Sequence, residues 1–416
     1  MRWAFLSALL LLAAGPAPAQ DGCDSGIEED SPPTGPEEPE PKRPAPERKP
    51  EPAPGARGGT PESELTPPTA EEINRAIDRG IEWLKKAQKE TGTWGPCVSG
   101  GTYGQDGGGG PCYHLGPTAF SVFVLATCGV PRNDPVMKKG LAWVEKAGKS
   151  PYQYKSYESS AVILMLTAVN GTAPPAAGKK LPRGRAGFRA DEWNSLEARV
   201  EHLLQNLQDQ GGFGYWVRKR GYADVSATQF AILALRQASF AGYPVEKVKT
   251  DVWRRTANYL DGLQASSGGF PYHGPHAPSA GMTAAAVSSL LICREQMALR
   301  KEKATPELDE AIEEGLRYLD ANFDVTQNPS PHFEGHTHYN YCHLYAIERT
   351  GVLSGRRELG GKDWYVRGAA YLVREQHEDG HWDDNSCMKP KDVLGTCFAL
   401  LFLKRATPPA VTLSGD

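Results

Sequence analysis

Two kinds of helical segment alternate along this chain, six times each, and no other feature limits its fold so strongly. The first kind is amphipathic. Between Ile73 and Gln88, the residues Ile73, Ile77, Ile81 and Leu84 recur at steps of three and four, with charges on the opposite face. Leu196, Val200, Leu203 and Leu207 repeat the pattern, and so do the segments VWRRTANYLDGLQ, LDEAIEEGLRYLDANF and WYVRGAAYLVREQ. VMKKGLAWVEKAG is a shorter version. The second kind is apolar nearly all round, in runs anchored at Thr118, Ser160, Thr228, Thr283, Tyr341 and Thr396. A helix without a polar face is buried on every side. The anchors lie 42 to 68 residues apart, and each interval holds one helical hairpin with its loops. Such a chain is expected to be all-α, with six hairpins closing on themselves. The amphipathic set would make an outer wall and the apolar set an inner ring around a cavity, because the helices of an open superhelix usually all keep an exposed edge.

The punctuation agrees with these boundaries. Four amphipathic segments end in Gln, a short turn with Gly, and an aromatic: Gln88 before Gly92-Thr93-Trp94, Gln208 before Gly211-Gly212-Phe213, Gln264 before Gly268-Gly269-Phe270, and Gln376 before Gly380-His381-Trp382. Glycine after the last turn is the usual left-handed helix stop. The aromatic can pack back on the helix end and the amide can donate to exposed carbonyls, so the motif reads as a staple between repeats.

These Gln–Gly–aromatic turns, the Thr-started apolar helices and the sixfold count resemble the prenyltransferase and squalene-oxidase repeat, over roughly residues 71–406. The segments HLYAIERTGVLSG, GGKDWYVRGAAYLV and TCFALLFLKR also resemble a bacterial exported branch of that group. The resemblance implies an (α/α)6 toroid, the ring of squalene–hopene cyclases and of protein prenyltransferase β subunits. A shared ring does not assign an activity.

The rest of the chain divides simply. Arg2, an apolar run from Ala4 to Ala14 and the small residues Ala17 and Ala19 read as a signal peptide over residues 1–19, hence export to a periplasmic or extracellular location. Residues 20–70 are rich in Pro and charge and poor in large apolar side chains, as expected of a disordered linker. The toroid is expected at 71–406 and a short tail at 407–416. The formal charge of −4 gives no reason to expect nucleic acid, and no apolar run after the signal is long enough to span a bilayer. Eight cysteines in 416 residues are too few for a disulfide scaffold. Cys97 and Cys112, flanking a Gly-rich loop, are a disulfide candidate, whereas Cys128, Cys293 and Cys397 sit in apolar helical runs as buried thiols.

The inner helices would aim their N-termini, with unpaired N–H groups and partial positive charge, at one mouth of the ring. The resemblance names two chemistries to look for there. Class II terpene cyclases use an Asp-x-Asp-Asp acid, which this chain lacks; Asp383-Asp384 falls in a repeat turn. Protein prenyltransferases hold zinc with Asp, Cys and His. Asp224 and Asp392 stand at comparable helix starts, but the thiolate position holds Ser226 or Leu394, and Asn340 stands where the His would be sought. No cofactor is therefore expected.

Asp224 and Asp392 are candidate acids, and each also suits a helix cap. The stretch PHFEGHTHYNYCHLY is the densest group of reactive side chains, with His332, Glu334, His336, His338, Tyr339, Asn340, Tyr341, Cys342 and His343. His338 is a candidate acid–base residue. His336, Tyr339, Asn340, Tyr341 and His114 are candidate cavity residues. A metal on His336 and His338, or a plain polar rim, are the other readings of that stretch. Two function classes remain: a module that holds a hydrophobic small molecule or an envelope protein in its central cavity or on its loop face, or a divergent enzyme acting on a terpenoid-type or glycan substrate in that cavity.

Overall fold

The structure is a computed structural model. It describes residues 65–95, 115–147, 156–176, 179, 181, 184–185, 187–215, 222–330, 339–383 and 391–411, all within the unit Pro52–Asp416. In chain order the described helices are α1 (Ala70–Lys86), α2 (Leu115–Thr127), α3 (Pro135–Ala147), α4 (Ser156–Val169), α5 (Ala190–Gln205), α6 (Val225–Phe240), α7 (Val245–Val248), α8 (Val252–Asp261), α9 (Ala280–Leu299), α10 (Pro306–Ala321), α11 (Asn340–Ser354), α12 (Trp364–Glu375) and α13 (Lys391–Leu403). Two short antiparallel ribbons accompany them. β1 (Phe270–Pro271) pairs with β2 (Pro278–Ser279), and β3 (Glu358–Leu359) pairs with β4 (Lys362–Asp363).

The apolar helices form a closed inner ring. α2 packs on α4, α4 on α6, α6 on α9, α9 on α11, α11 on α13, and α13 on α2. The amphipathic helices lie outside: α3 on α2, α5 on α4, α8 and α10 on α9, α12 between α11 and α13, and α1 against α12 and α13. The (α/α)6 toroid expected from the alternation is the fold. Burial follows the pattern: in α6 every residue except Ser226 and Phe230 is buried, while α1 buries one stripe of Ala76, Ile77, Gly80 and Leu84. Three outer helices begin on side-chain caps: the Thr69–Glu72 capping box of α1, Thr305 followed by Pro306 in α10, and Asp363 in α12.

The repeat turns are the joints of the ring. Gln88 donates its amide to the carbonyls of Gly92 and, on the next outer helix, Val136, at 3.1 and 2.9 Å. Gln264 does the same to Gly268 and Ala311, and Gln376 to Gly380 and Ala76. The turn glycines Gly92, Gly211, Gly268 and Gly380 all have φ between +82° and +104°. A Cβ on each would lie within 2.8 Å of the carbonyl oxygen of Lys139, Arg255, Glu314 and Arg79 respectively. One residue further along those same helices, Gly80 makes room for Trp382, Gly140 for Val122 and Trp94, and Gly315 for Val287.

Gln208 departs from the expected staple. The bond from its backbone N–H to Gly212 O matches that of Lys89 to Thr93, Ala265 to Gly269 and His377 to His381, so Leu207 occupies the staple position. The Gln208 amide donates to Asn206 O instead. Arg255 makes up the joint, reaching the carbonyls of Gln208 and Asp209 as Arg79 reaches those of His377 and Glu378.

The Thr anchors lie one turn inside their helices, not at the start. There the hydroxyls of Thr118, Thr228, Thr283 and Thr396 accept the backbone N–H of Trp94, Phe213, Phe270 and Trp382 at 2.9 to 3.3 Å. Each pairing fastens a turn to the inner ring and satisfies a buried donor. At mid-height the ring is filled with aromatic side chains: Phe120 and Phe123 from α2, Phe230 from α6, Tyr345 from α11 and Phe398 from α13, with ring centroids 5.3 to 6.5 Å apart. Residues 406–411 return beneath the C-terminal ends of the inner helices and pack there.

Candidate functional site

The inner helices run parallel. The N–H of Ser156 at the start of α4 donates to Tyr215 O, just before α6; that of Val225 at the start of α6 donates to Tyr272 O, before α9; and that of Ala280 donates to Pro329 O, before α11. Their N-termini therefore gather at one mouth, where the helix dipoles add partial positive charge. At this level each inner helix shows a half-buried residue: Gly116, Tyr157, Ser226, Met282, Cys342 and Leu394. Phe230, one turn deeper on α6, is half-buried below them and packs edge-on against Tyr157 at 5.6 Å. The mouth is thus an apolar and aromatic surface over an aromatic floor.

A buried acid stands in its wall. Asp224 is 0% exposed and caps α6, with Oδ1 accepting the Ala227 N–H at 2.6 Å. Oδ2 has no hydrogen bond of regular geometry among the described residues, although the Tyr272 hydroxyl interacts with the carboxyl. Burial pushes this carboxyl up to about 7, against the pull of the Ala227 and Ser226 amides and of Tyr272. Around it are tyrosines. Tyr215 and Tyr272 share a hydroxyl–hydroxyl bond of 2.8 Å, and Tyr157 donates to Ser226 Oγ at 2.9 Å. Tyr222 and Tyr259 feel the same carboxylate, and burial followed by that charge holds the Tyr157, Tyr222, Tyr259 and Tyr272 hydroxyls in their neutral form. His273 packs on Tyr222, Tyr272 and His276, and burial followed by His276 lowers its basicity. A carboxyl that exchanges its proton near neutral pH beside a chain of hydroxyls can act as acid, base or hydrogen-bond donor.

Asp392 is placed differently. It lies half-buried in the first turn of α13, where its Oδ1 accepts the Val393 N–H at 2.9 Å. No hydrogen bond joins it to Asp224 among the described residues. Tyr339 is exposed in a left-handed conformation (φ 60°) ahead of α11. Asn340 is buried and donates to Val325 O at 2.9 Å, and Tyr341 is buried near Tyr371. His343 is buried with Nε2 3.0 Å from Asp324 O. Asn340 and His343 thus tie α11 to the 324–325 segment. His114, His336, His338, Cys97 and Cys112 lie outside the described residues. Cys293 and Cys397 are buried free thiols and Cys128 is half-buried, its thiol pushed up to about 12 by burial. Among the described residues no group of three His, Cys, Asp or Glu could hold a metal ion, and no helix is long and apolar enough to cross a membrane.

The tyrosine shell escaped sequence reasoning, although the repeat carried a signal for it. Gly211-Gly212-Phe213 and Gly268-Gly269-Phe270 are each followed two residues after the Phe by a tyrosine, Tyr215 and Tyr272. These two are the pair that meet.

The sequence profile of the prenyltransferase alpha-alpha toroid domain matches residues 149–380. The chain belongs to that family. Among solved structures, this toroid is similar to a variant of the type II terpene cyclase MstE from Scytonema in complex with merosterolic acid A (12% identity, 81% of this chain and 97% of that one, TM-score 0.50). It is also similar to the GH76A α-1,6-mannanase from Salegentibacter sp. (12% identity, 80% and 98%, TM-score 0.52) and to a GH76 α-mannanase from Bacteroides thetaiotaomicron (8% identity, 80% and 95%, TM-score 0.51). At these identities the likeness concerns the fold. No curated protein sequence matches the chain. Within the family it departs from both catalytic patterns sought above, the Asp-x-Asp-Asp acid and the Asp–Cys–His zinc set.

Proposed function

We propose that this toroid is an exported binding module that takes a small molecule with an apolar body at the N-terminal mouth of its inner ring. The half-buried set Tyr157, Ser226, Met282, Cys342 and Leu394 above Phe230 carries this reading. These side chains lie together at the N-terminal ends of the inner ring, and partly open apolar groups gathered at one end of a ring are a usual setting for a ligand site. A structural neighbour, a further MstE variant, holds geranylgeranyl dihydroxybenzoate as substrate, which supports a ligand with a prenyl-like part. The full chain, purified and extracted with organic solvent, is expected to release a hydrophobic molecule detectable by mass spectrometry. Ser226→Trp, which fills the mouth, is expected to abolish its capture while leaving the circular dichroism unchanged. Equal loading of the two proteins sinks the proposal. Export is tested separately, by N-terminal sequencing of the protein from the cell envelope. An envelope protein docking at the same mouth would appear as a co-purifying chain lost in Ser226→Trp.

Asp224 favours a second reading, an enzyme that uses the same mouth. A carboxyl pushed up to about 7 holds and gives a proton at neutral pH, as general acids do. If the extracted molecule is turned over, Asp224→Asn is expected to lower the rate at least about 100-fold with binding retained.

A further inference from the structure

We propose that the opposite, C-terminal mouth of the ring is a binding site for an extended, proline-containing peptide, occupied in this structure by the chain's own residues 406–411. Helix α13 ends in a left-handed turn at Arg405 (φ 48°), where the Ala406 N–H reaches back to Leu401 O. The guanidinium of Arg405 stacks 3.7 Å over Tyr365, and the chain turns beneath the ring.

There it is recognised through its backbone. Glu348 accepts the Thr407 N–H at 3.0 Å and the Thr407 hydroxyl at 2.6 Å. Arg236 donates to the carbonyls of Pro408 and Pro409 at 3.1 and 3.0 Å. Glu295 accepts the Val411 N–H at 2.7 Å. Three buried ionisable side chains thus read four main-chain groups in five residues. Little of this depends on side-chain identity beyond the hydroxyl at 407 and the prolines, which hold the chain extended.

Two of the receiving groups are also bonded to each other. Arg236 and Glu295 form a two-bonded ion pair at 2.7 and 2.8 Å, with side chains 0% and 3% exposed, and Gln296 braces Glu295 at 3.3 Å. The tail takes up the remaining donors and acceptors of a pair that the ring already holds in place. Preorganisation of this kind marks a binding platform, since little ordering is left for the ligand to impose. Ion pairs buried in a core otherwise made of apolar contacts add little stability of their own.

The tail also fits loosely. A partly open pocket of about 190 Å³ remains between it and the ring, lined by Phe123, Leu164 and Tyr345 together with Thr167 and Gln237 on the ring side and by Ala406 on the tail side. An engineered apolar cavity of about 150 Å³ takes up benzene, so this one has space for a larger apolar side chain than Ala406 offers. The ligand class is therefore an extended Thr-Pro-Pro peptide with a bulkier apolar residue before the threonine.

The test keeps the full chain and inserts a specific protease site between Arg405 and Ala406. The folded protein is cleaved, then offered a fluorescein-labelled peptide of residues 406–416. The expected results are saturable binding with unchanged circular dichroism, at least tenfold weaker binding of a peptide N-methylated at Val411, and at least threefold tighter binding of the Ala406→Leu peptide. Three results would each overturn the proposal: a cleaved segment that never exchanges, one that leaves only as helical signal is lost, or equal binding of the N-methylated peptide.

Discussion

The side-chain amide of Gln376 donates to the carbonyl of Ala76 at 2.9 Å, across 300 positions of sequence. This is the bond that Gln264 makes to Ala311 and Gln88 to Val136 inside the chain. The ring is therefore sealed by the same joint that links its neighbours, with Arg79 and Trp83 adding bonds to His377, Glu378 and Asp379. Gln376→Leu is expected to cost about 1–2 kcal/mol. Amide exchange should rise in α1 and α12 before it rises in α9, as mass spectrometry of deuterated protein can read.

Gly380 is the tightest point of that seal. Its φ of +104° disfavours any L side chain, and a Cβ would lie 2.6 Å from Arg79 O, a backbone atom that cannot swing aside. Gly380→Ala is expected to destabilise by about 2 kcal/mol or more. Gly171→Ala is the control: it has φ +67° and nothing within 4 Å of an added Cβ, so about 1 kcal/mol is expected. Equal midpoints in urea for the two variants would contradict the packing described at the seam.

Thr396 acts as an acceptor for Trp382 N–H at 3.0 Å in a buried setting. Thr396→Val keeps the shape and strands the donor, at an expected cost of about 1–3 kcal/mol. Thr396→Ser, which keeps the oxygen, should lose less. Chemical denaturation of the pair separates hydrogen bonding from packing.

Asp224 and Glu348 give the toroid an unusual pH dependence. Burial raises the two carboxyls from 3.8 and 4.5 to about 7 in each case. Both bind protons more tightly folded than unfolded. Their contribution to stability is complete below about pH 4 and is lost as pH rises to 7. Scanning calorimetry between pH 4.5 and 7.5 is expected to show the melting temperature falling with pH from these two groups. Asp224→Asn should remove part of that fall; an unchanged profile would mean the carboxyl is ionised throughout.

The legible part of this protein was whatever repeats. Alternation between amphipathic and wholly apolar segments specified the ring, because a helix with no polar face has to be enclosed. The glycines of the turns were legible as helix stops. Their contact with the next outer helix was not, since a Cβ clash with Arg79 O is a fact of tertiary packing. Gln208 misled because a Gln at nearly the right spacing stands in for Leu207, and only the backbone bonding shows the shift. Asp224 was readable as a cap. Of its tyrosine shell only the repeated Tyr215 and Tyr272 were legible; their meeting with Tyr157 was not, because the three come from separate hairpins. Residues 406–411 gave no signal because their recognition runs through the main chain, which carries no sequence pattern.

Helix α1 takes its main partners, α12 and α13, from the far end of the polypeptide. It is made first and housed last. Until the final hairpin is made, the stripe of Ile77 and Leu84 lacks the apolar surface that α12 and α13 supply. Any truncation that removes α13 should therefore leave the opening helix exposed, a target for chaperones and proteases, while the middle hairpins keep their neighbours.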